Sequence, residues 1–187
     1  MKSLLFVWLI GLVAGCLSNA GELPKRPIHV PVSLELRDQY DAPQRLDFPS
    51  TNIVVLTIAD KKGSEQIDGW VAALKARYAG RIELRGLADV GGVPGLLRGK
   101  VRRKFQETRT YPVMMDWSGA HCAAFRYEKN VANVLVIGRD GQIKMRVAGL
   151  ADEAAIKKLS VAIDAALVHS ASVPFHSTPK STAFRTP

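Results

Sequence analysis

Apolar positions along the chain recur in two rhythms, every second residue in some segments and every third or fourth in others. The change of rhythm marks the elements. Val32, Leu34 and Leu36 alternate with Ser33 and Glu35, the pattern of a half-buried strand. Asp38-Gln39-Tyr40-Asp41 has the chemistry of a turn, and Arg45-Leu46-Asp47 can return as a partner strand. Residues 52–59 form a near-continuous, largely β-branched run, as expected of a central strand covered on both faces. After Lys61-Lys62-Gly63, the Ser64 hydroxyl is suited to cap a helix and Glu65 to sit at its positive end. Ile67, Val71, Leu74 and Tyr78 then share one helical face, with Trp70 beside them. Gly69 weakens that helix by about 1 kcal/mol relative to Ala and is a candidate kink. Gly80 ends it.

Residues 81–87 read as the next strand, carried by Ile82, Leu84 and Leu87, and residues 89–93 as a Gly-rich connection. Pro94 suits the first turn of a helix, where a missing N–H costs nothing. That helix has Leu97, Val101 and Phe105 as its inward stripe, with Arg98, Lys100, Arg102, Arg103 and Lys104 over the rest. Residues 111–115 are a further strand, closed by Asp116-Trp117-Ser118-Gly119, and a short helix is expected over 120–127. The strand at 133–137 turns at Arg139-Asp140-Gly141, where Gly141 supplies a positive φ, and returns over 142–147. Residues 152–167 are the last helix, with Ile156, Leu159, Ile163 and Leu167 inward. Residues 168–187 are rich in Ser, Thr, Pro, His and Ala without a period, the composition of a disordered tail. Helices between strands imply parallel crossovers, whereas Asp140-Gly141 implies one antiparallel pair. The expected fold is α/β: a mixed central sheet flanked by helices, with an N-terminal β-hairpin extension, in one domain over residues 32–167.

The segment ahead of that domain reads as an address. Residues 1–20 have the regions of an export signal: Lys2 at the start, an apolar run over 4–13, and small residues at the end. A mature spanning helix needs about 20 apolar residues, so this run is too short to be one. Two cleavage readings stand. Val13-Ala14-Gly15-Cys16 has the pattern of a bacterial lipobox, in which the chain is cut before Cys16 and its thiol carries a lipid. Ser18 and Ala20 instead offer the small residues ahead of an ordinary cut before Gly21. Either places the mature chain in the periplasm or cell envelope, the first with a membrane anchor. Residues 21–31, with Pro24, Pro27 and Pro31, read as a polar tether.

Composition narrows the chemistry. A chain of 187 residues that is 47% hydrophobic can bury a core without disulfide staples. The net charge of +9 is either a solvated surface or an attraction to anionic surfaces. An exported chain with no aromatic platform beside its charges argues against nucleic acid. His29, His121, His169 and His176 are scattered, without metal-ligand spacing. Gly99-Lys100 is not a phosphate loop, because Pro94 stands where the first Gly is needed and Val101 where the magnesium-binding hydroxyl is needed. No G-x-S-x-G supports a serine hydrolase. No metal and no cofactor are expected.

Two stretches, SLELRDQYDAPQRLDF and VANVLVIGRDGQIKMRVAGLADEAAIKKL, resemble the leading hairpin and the closing hairpin and helix of the thioredoxin-like superfamily, in its peroxiredoxin and exported thioredoxin-related branch. VPGLLRG and YPVMMDWSG are similar to the YtfJ-type group of exported thioredoxin-like proteins. The resemblance covers residues 32–167 and implies the fold together with thiol–disulfide chemistry at the first helix of the sheet. An ungapped match puts Lys61 and Ser64 at the family's two active cysteines, and Ala132 at the cis-proline that shapes its substrate groove. Thiol exchange needs one thiolate to attack and a second to resolve. The chain's two cysteines are Cys16 and Cys122, so this site has no sulfur.

Cys122 lies among Ala120, Ala123, Ala124 and Phe125, where an inert buried thiol is the plain expectation. His121, its neighbour in sequence, would point about 100° away on a helix. The expected function is therefore that of an exported, redox-inactive thioredoxin-like module that binds or helps assemble a protein partner in the envelope. Its contact surface would be Lys61, Lys62, Gly63 and Ser64 with Val131 and Ala132. The alternative is a thiol-dependent antioxidant or oxidoreductase using Cys122. A third reading, anion binding by Lys61 and Lys62 at the helix start, competes with a solvated turn.

Overall fold

The computed structural model describes residues 33–171. The export segment with Cys16, the tether, and the chain from residue 172 onward lie outside the described residues. Strands β1 (Ser33–Arg37) and β2 (Pro43–Asp47) form the expected antiparallel hairpin. Then come β3 (Val54–Ala59), α1 (Ile67–Tyr78), β4 (Glu83–Asp89), α2 (Arg98–Thr108), β5 (Val113–Asp116) and the short α3 (Ala120–Ala124). Strands β6 (Asn133–Ile137) and β7 (Ile143–Ala148) close the sheet, and α4 (Glu153–Ala171) ends the described chain, four residues past the expected Leu167. Gly141 turns the β6–β7 hairpin at φ 78°. Helix α1 runs unbroken through Gly69.

The main sheet has the order β5-β4-β3-β6-β7. β3 pairs parallel with β4, and β4 parallel with β5, whereas β6 runs antiparallel to both β3 and β7. All six residues of β3 are buried, because alternate side chains enter two different cores. Val54, Leu56 and Ile58 pack with the hairpin's Leu34 and Leu46 and with Cys122 and Phe125 around α3. Val55 faces the other way, onto Ile67, Trp70, Val71, Leu74 and Tyr78 of α1 and Leu159 and Ile163 of α4.

Helix α2 is held differently. None of its residues is buried. Val101 and Phe105, both half-buried, rest on a small cluster of Ala88, Val90, Val113 and Met115. The expected third member of the stripe, Leu97, is 46% exposed. It belongs to a 3-10 turn, Gly95–Leu97, closed by Leu97 N–H donating to Pro94 O, and the tighter winding takes it off the α-helical stripe.

The hairpin also finishes the sheet. Gln39, fully buried at its turn, acts as a further strand residue beside β5: its Nε2 donates to Tyr111 O (2.9 Å) and its Oε1 accepts from Val113 N (2.8 Å). Gln106 of α2 donates in turn to Gln39 O (2.7 Å). Replacing Gln39 with Ala strands one donor and one acceptor of the β5 backbone and is expected to cost about 2 kcal/mol. Urea denaturation would read this as a lower midpoint at unchanged slope; a loss under about 0.5 kcal/mol would mean that water replaces the amide freely.

Candidate functional site

The three parallel strands end in the same way. Asp60, Asp89 and Asp116 follow or finish β3, β4 and β5, and each carboxylate turns back to accept a glycine N–H. The pairs are Gly63 to Asp60 Oδ1 (2.8 Å), Gly91 to Asp89 Oδ1 (3.0 Å) and Gly119 to Asp116 Oδ1 (2.9 Å). A carboxylate that satisfies free N–H groups fixes the path of a connection as it leaves a strand. Asp-x-x-Gly occurs in the sequence at Asp60–Gly63, Asp89–Gly92 and Asp116–Gly119, a signal that could have located all three turns.

Asp60 displaces the cap expected of Ser64. The chain approaches α1 through a 3-10 turn, Gly63–Gln66, and the Ser64 hydroxyl donates to Lys61 O (2.7 Å) instead of accepting from the helix. Asp60 Oδ2 accepts Asn130 N–H (2.8 Å), which draws the loop before β6 against this turn. Gly63 is pressed on that loop so closely that an added Cβ would lie 2.3 Å from Val131 O. Beside it, Ala132 N–H donates to Gln66 Oε1 (3.1 Å), and Ala132 O accepts Gly149 N–H (2.8 Å). The fold thus brings together the two sequence-distant groups, Lys61 to Ser64 and Val131 with Ala132. It leaves no groove between Gly63 and Val131, and the backbone of Ala132 is engaged within the protein.

The open space lies next to this seam. A cleft of about 600 Å³ runs between the α1 start and α2, over the ends of β3 and β4. Ala59, Ala88, Val90, Val93, Val101 and Phe105 make its apolar floor and far wall. Lys61 and Ser64 stand on one lip, and Lys104 and Arg109 on the other. Arg109 is anchored, donating to Ser64 O (3.0 Å) and pairing with Asp68. Sequence reasoning missed this cleft because its floor and lips come from two strand ends and two helices that meet only in the assembled sheet. The cleft lies outside the carboxyl ends of β3 and β4, on the face that carries both α1 and α2.

Cys122 is on the opposite face, fully buried. Its N–H donates to Asp116 Oδ2 (2.9 Å). Burial, with the negative charges of Asp116 and Asp89, pushes its thiol far above the ordinary range, so thiolate is disfavoured. Tyr127 is pushed up as well, by burial and by donating its hydroxyl to Asp89. Asp116 goes the other way. Its burial would raise it, but hydrogen bonds from Ser118 and from the Cys122 N–H, with the charge of His121, hold it below the usual carboxylate range. Among the described residues, no cluster of three or more His, Cys, Asp or Glu could hold a metal ion, and no helix is long and apolar enough to cross a membrane.

This architecture has many counterparts among solved structures. The fold is thioredoxin-like. A protein from Chlorobium tepidum described as a thiol:disulfide interchange protein DsbE superposes with a TM-score of 0.59 at 16% identity, covering 75% of this chain and 96% of that one. A second Chlorobium tepidum thiol:disulfide interchange protein of the thioredoxin family gives 0.52 at 18% identity, covering 77% and 99%. The pneumococcal exposed lipoprotein thioredoxin Etrx1 from Streptococcus pneumoniae gives 0.54 at 14% identity, covering 68% and 96%. No protein-family description and no curated protein sequence matches the chain.

Proposed function

We propose that this protein is an exported thioredoxin-like module, redox-inactive, that binds or helps assemble a protein partner in the bacterial envelope. One observation carries the reading: the start of α1 holds Lys61-Lys62-Gly63-Ser64, without a thiol, and the thiol that the fold does enclose is sealed in the core. Likeness to thiol:disulfide interchange proteins and to an exposed lipoprotein thioredoxin supports an extracytoplasmic setting. The lipobox pattern ending at Cys16 supports attachment to the membrane.

The binding face in this reading is the cleft between α1 and α2. Lys61 and Ser64 belong to its rim. Gly63, Val131 and Ala132 form the closed seam that holds the rim in place, and Lys62 is exposed beside it. An apolar floor edged by charged groups is suited to an apolar side chain presented by a partner, flanked by polar backbone.

Thiol reactivity tests the redox half. In the Cys16→Ser chain, Cys122 is expected to react with a disulfide reagent at least a hundredfold faster in denaturant than in native buffer. The chain should also fail to reduce insulin disulfides. Rapid native reaction, with activity abolished by Cys122→Ser, would replace this reading with the thiol-dependent oxidoreductase. Crosslinking from Lys61 and Lys104 in envelope extracts addresses the binding half: loss of the crosslinked species on Phe105→Ser would place the partner in the cleft.

A further inference from the structure

The loop that leads into α2 carries two leucines that the fold does not use. Leu96 is 96% exposed and Leu97 46%. They follow Pro94 and Gly95 at the tip of the connection from β4, in the 3-10 turn that runs directly into α2. Within α2, Lys100 and Arg103 (i+3) share one side, turned away from Val101 and Phe105. Both are exposed. Arg98 and Arg102 lie over the Trp117 ring at 5.1 and 5.8 Å, and Arg102 also pairs with Asp41 (2.7 Å), so both are held to the body of the protein and the outward charge is carried by Lys100 and Arg103. α2 carries five cations against a single acid, Glu107.

The surface beside this tip has the same sign. Gly91 and Gly92 of the same connection border an open cleft with the exposed Arg126 and Lys129, where Asp89 is engaged by Gly91 and Tyr127. The cleft between α1 and α2 is mixed, with Asp60, Glu65, Asp68 and Asp89 beside Lys61, Lys104 and Arg109, so the positive excess lies on the outward side of α2 and at Arg126 and Lys129. An exposed apolar tip at the head of a basic helix is the arrangement of a segment that lies in a bilayer interface, its leucines among the acyl chains and its lysines and arginines at the phosphates.

We infer that the Leu96–Leu97 tip and the outward face of α2 dock on the surface of an anionic phospholipid bilayer. The charge selects anionic headgroups over zwitterionic ones, and the bare leucines select a bilayer over a purely polar partner.

A local probe tests this irrespective of any contribution from the N-terminal segment. Leu96→Cys, in the full chain carrying Cys16→Ser, gives an exposed thiol for an environment-sensitive nitrobenzoxadiazole dye, because Cys122 is buried. Its emission is expected to shift to the blue and rise several-fold with vesicles of phosphatidylglycerol and phosphatidylcholine, and to stay unchanged with phosphatidylcholine alone. The same dye at Lys158→Cys, on the exposed side of α4, is expected not to respond. Adding Lys100→Gln and Arg103→Gln should raise the lipid concentration needed for the response about thirtyfold. No shift at position 96, an equal shift on phosphatidylcholine, or an equal shift at position 158 would overturn the inference. The same shift with soluble polyglutamate and no vesicles would assign the face to an acidic protein, and overturn it equally.

Discussion

Replacing Asp116 with Ala is expected to remove about 3–4 kcal/mol of folding stability, a large part of the 5–15 kcal/mol typical of a domain. The side chain is fully buried, and its two oxygens serve four donors. Oδ1 accepts the N–H groups of Ser118 (3.2 Å) and Gly119 (2.9 Å) and the Ser118 hydroxyl (2.7 Å), while Oδ2 accepts Cys122 N–H (2.9 Å). Truncation leaves the buried Cys122 N–H without a partner and releases the turn that aims α3 at the core. Urea denaturation at neutral pH would show a lower midpoint at unchanged slope, and a loss below about 1 kcal/mol would mean that water enters to replace the carboxylate.

The pH dependence has a definite sign. Asp116 is held below the ordinary carboxylate range in the folded protein, so its contribution is fully present above the unfolded value of about 3.9. It is lost as pH falls through the folded value. The parent protein should therefore lose stability more steeply than Asp116→Asn below about pH 4.

Gly63→Ala is expected to cost about 3 kcal/mol, the upper end for overpacking, because the obstacle is backbone rather than a side chain that could rotate away. The new Cβ would meet Val131 O at 2.3 Å and Val131 C at 2.5 Å. Relief requires the α1 turn and the loop before β6 to part, and that parting stretches the Gln66–Ala132 and Asp60–Asn130 hydrogen bonds. Denaturation gives the magnitude, and the amide resonances of Asn130 and Ala132 report the parting. A near-neutral substitution with unmoved resonances would show that the two segments do not press on each other.

Both positions show how far the sequence could be read. The β-branched run before Asp60 and the 3.6-residue stripe of Ile67, Val71, Leu74 and Tyr78 are local patterns, and local patterns place β3 and α1 within two residues. Ser64 was a reasonable cap by its chemistry, but Asp60 stands at the strand end, where its carboxylate accepts the Gly63 N–H and its backbone carbonyl the Ser64 N–H. Which of the two captures them depends on the direction of the chain as it leaves the sheet. Leu97 fits the α2 stripe only if the helix begins at Pro94; a 3-10 turn there shifts the register. Gln39 reads as an ordinary turn residue, and nothing near it announces that its amide will extend β5, since Tyr111 and Val113 lie more than seventy residues away. The cleft is of the same kind. Its floor comes from strand ends and its lips from two helices, so it exists only once the sheet order is set.

The two helices that bound that cleft are unequally tied down. Helix α1 buries five side chains, and Trp70 and Tyr78 each donate to a distant backbone carbonyl, at Gly149 (2.9 Å) and Ser160 (3.2 Å). Helix α2 buries none. The α1 wall is therefore fixed by core packing, whereas the α2 wall rests on Val101 and Phe105 and on polar ties, Arg109 to Ser64 O and Asp68, Gln106 to Gln39 O and Arg102 to Asp41. An occupant that widens the cleft must release the Arg109 tie to Ser64 and Asp68, yet neither of the two large cores, so the cost of adapting the fit falls on surface polar contacts while the scaffold stays fixed.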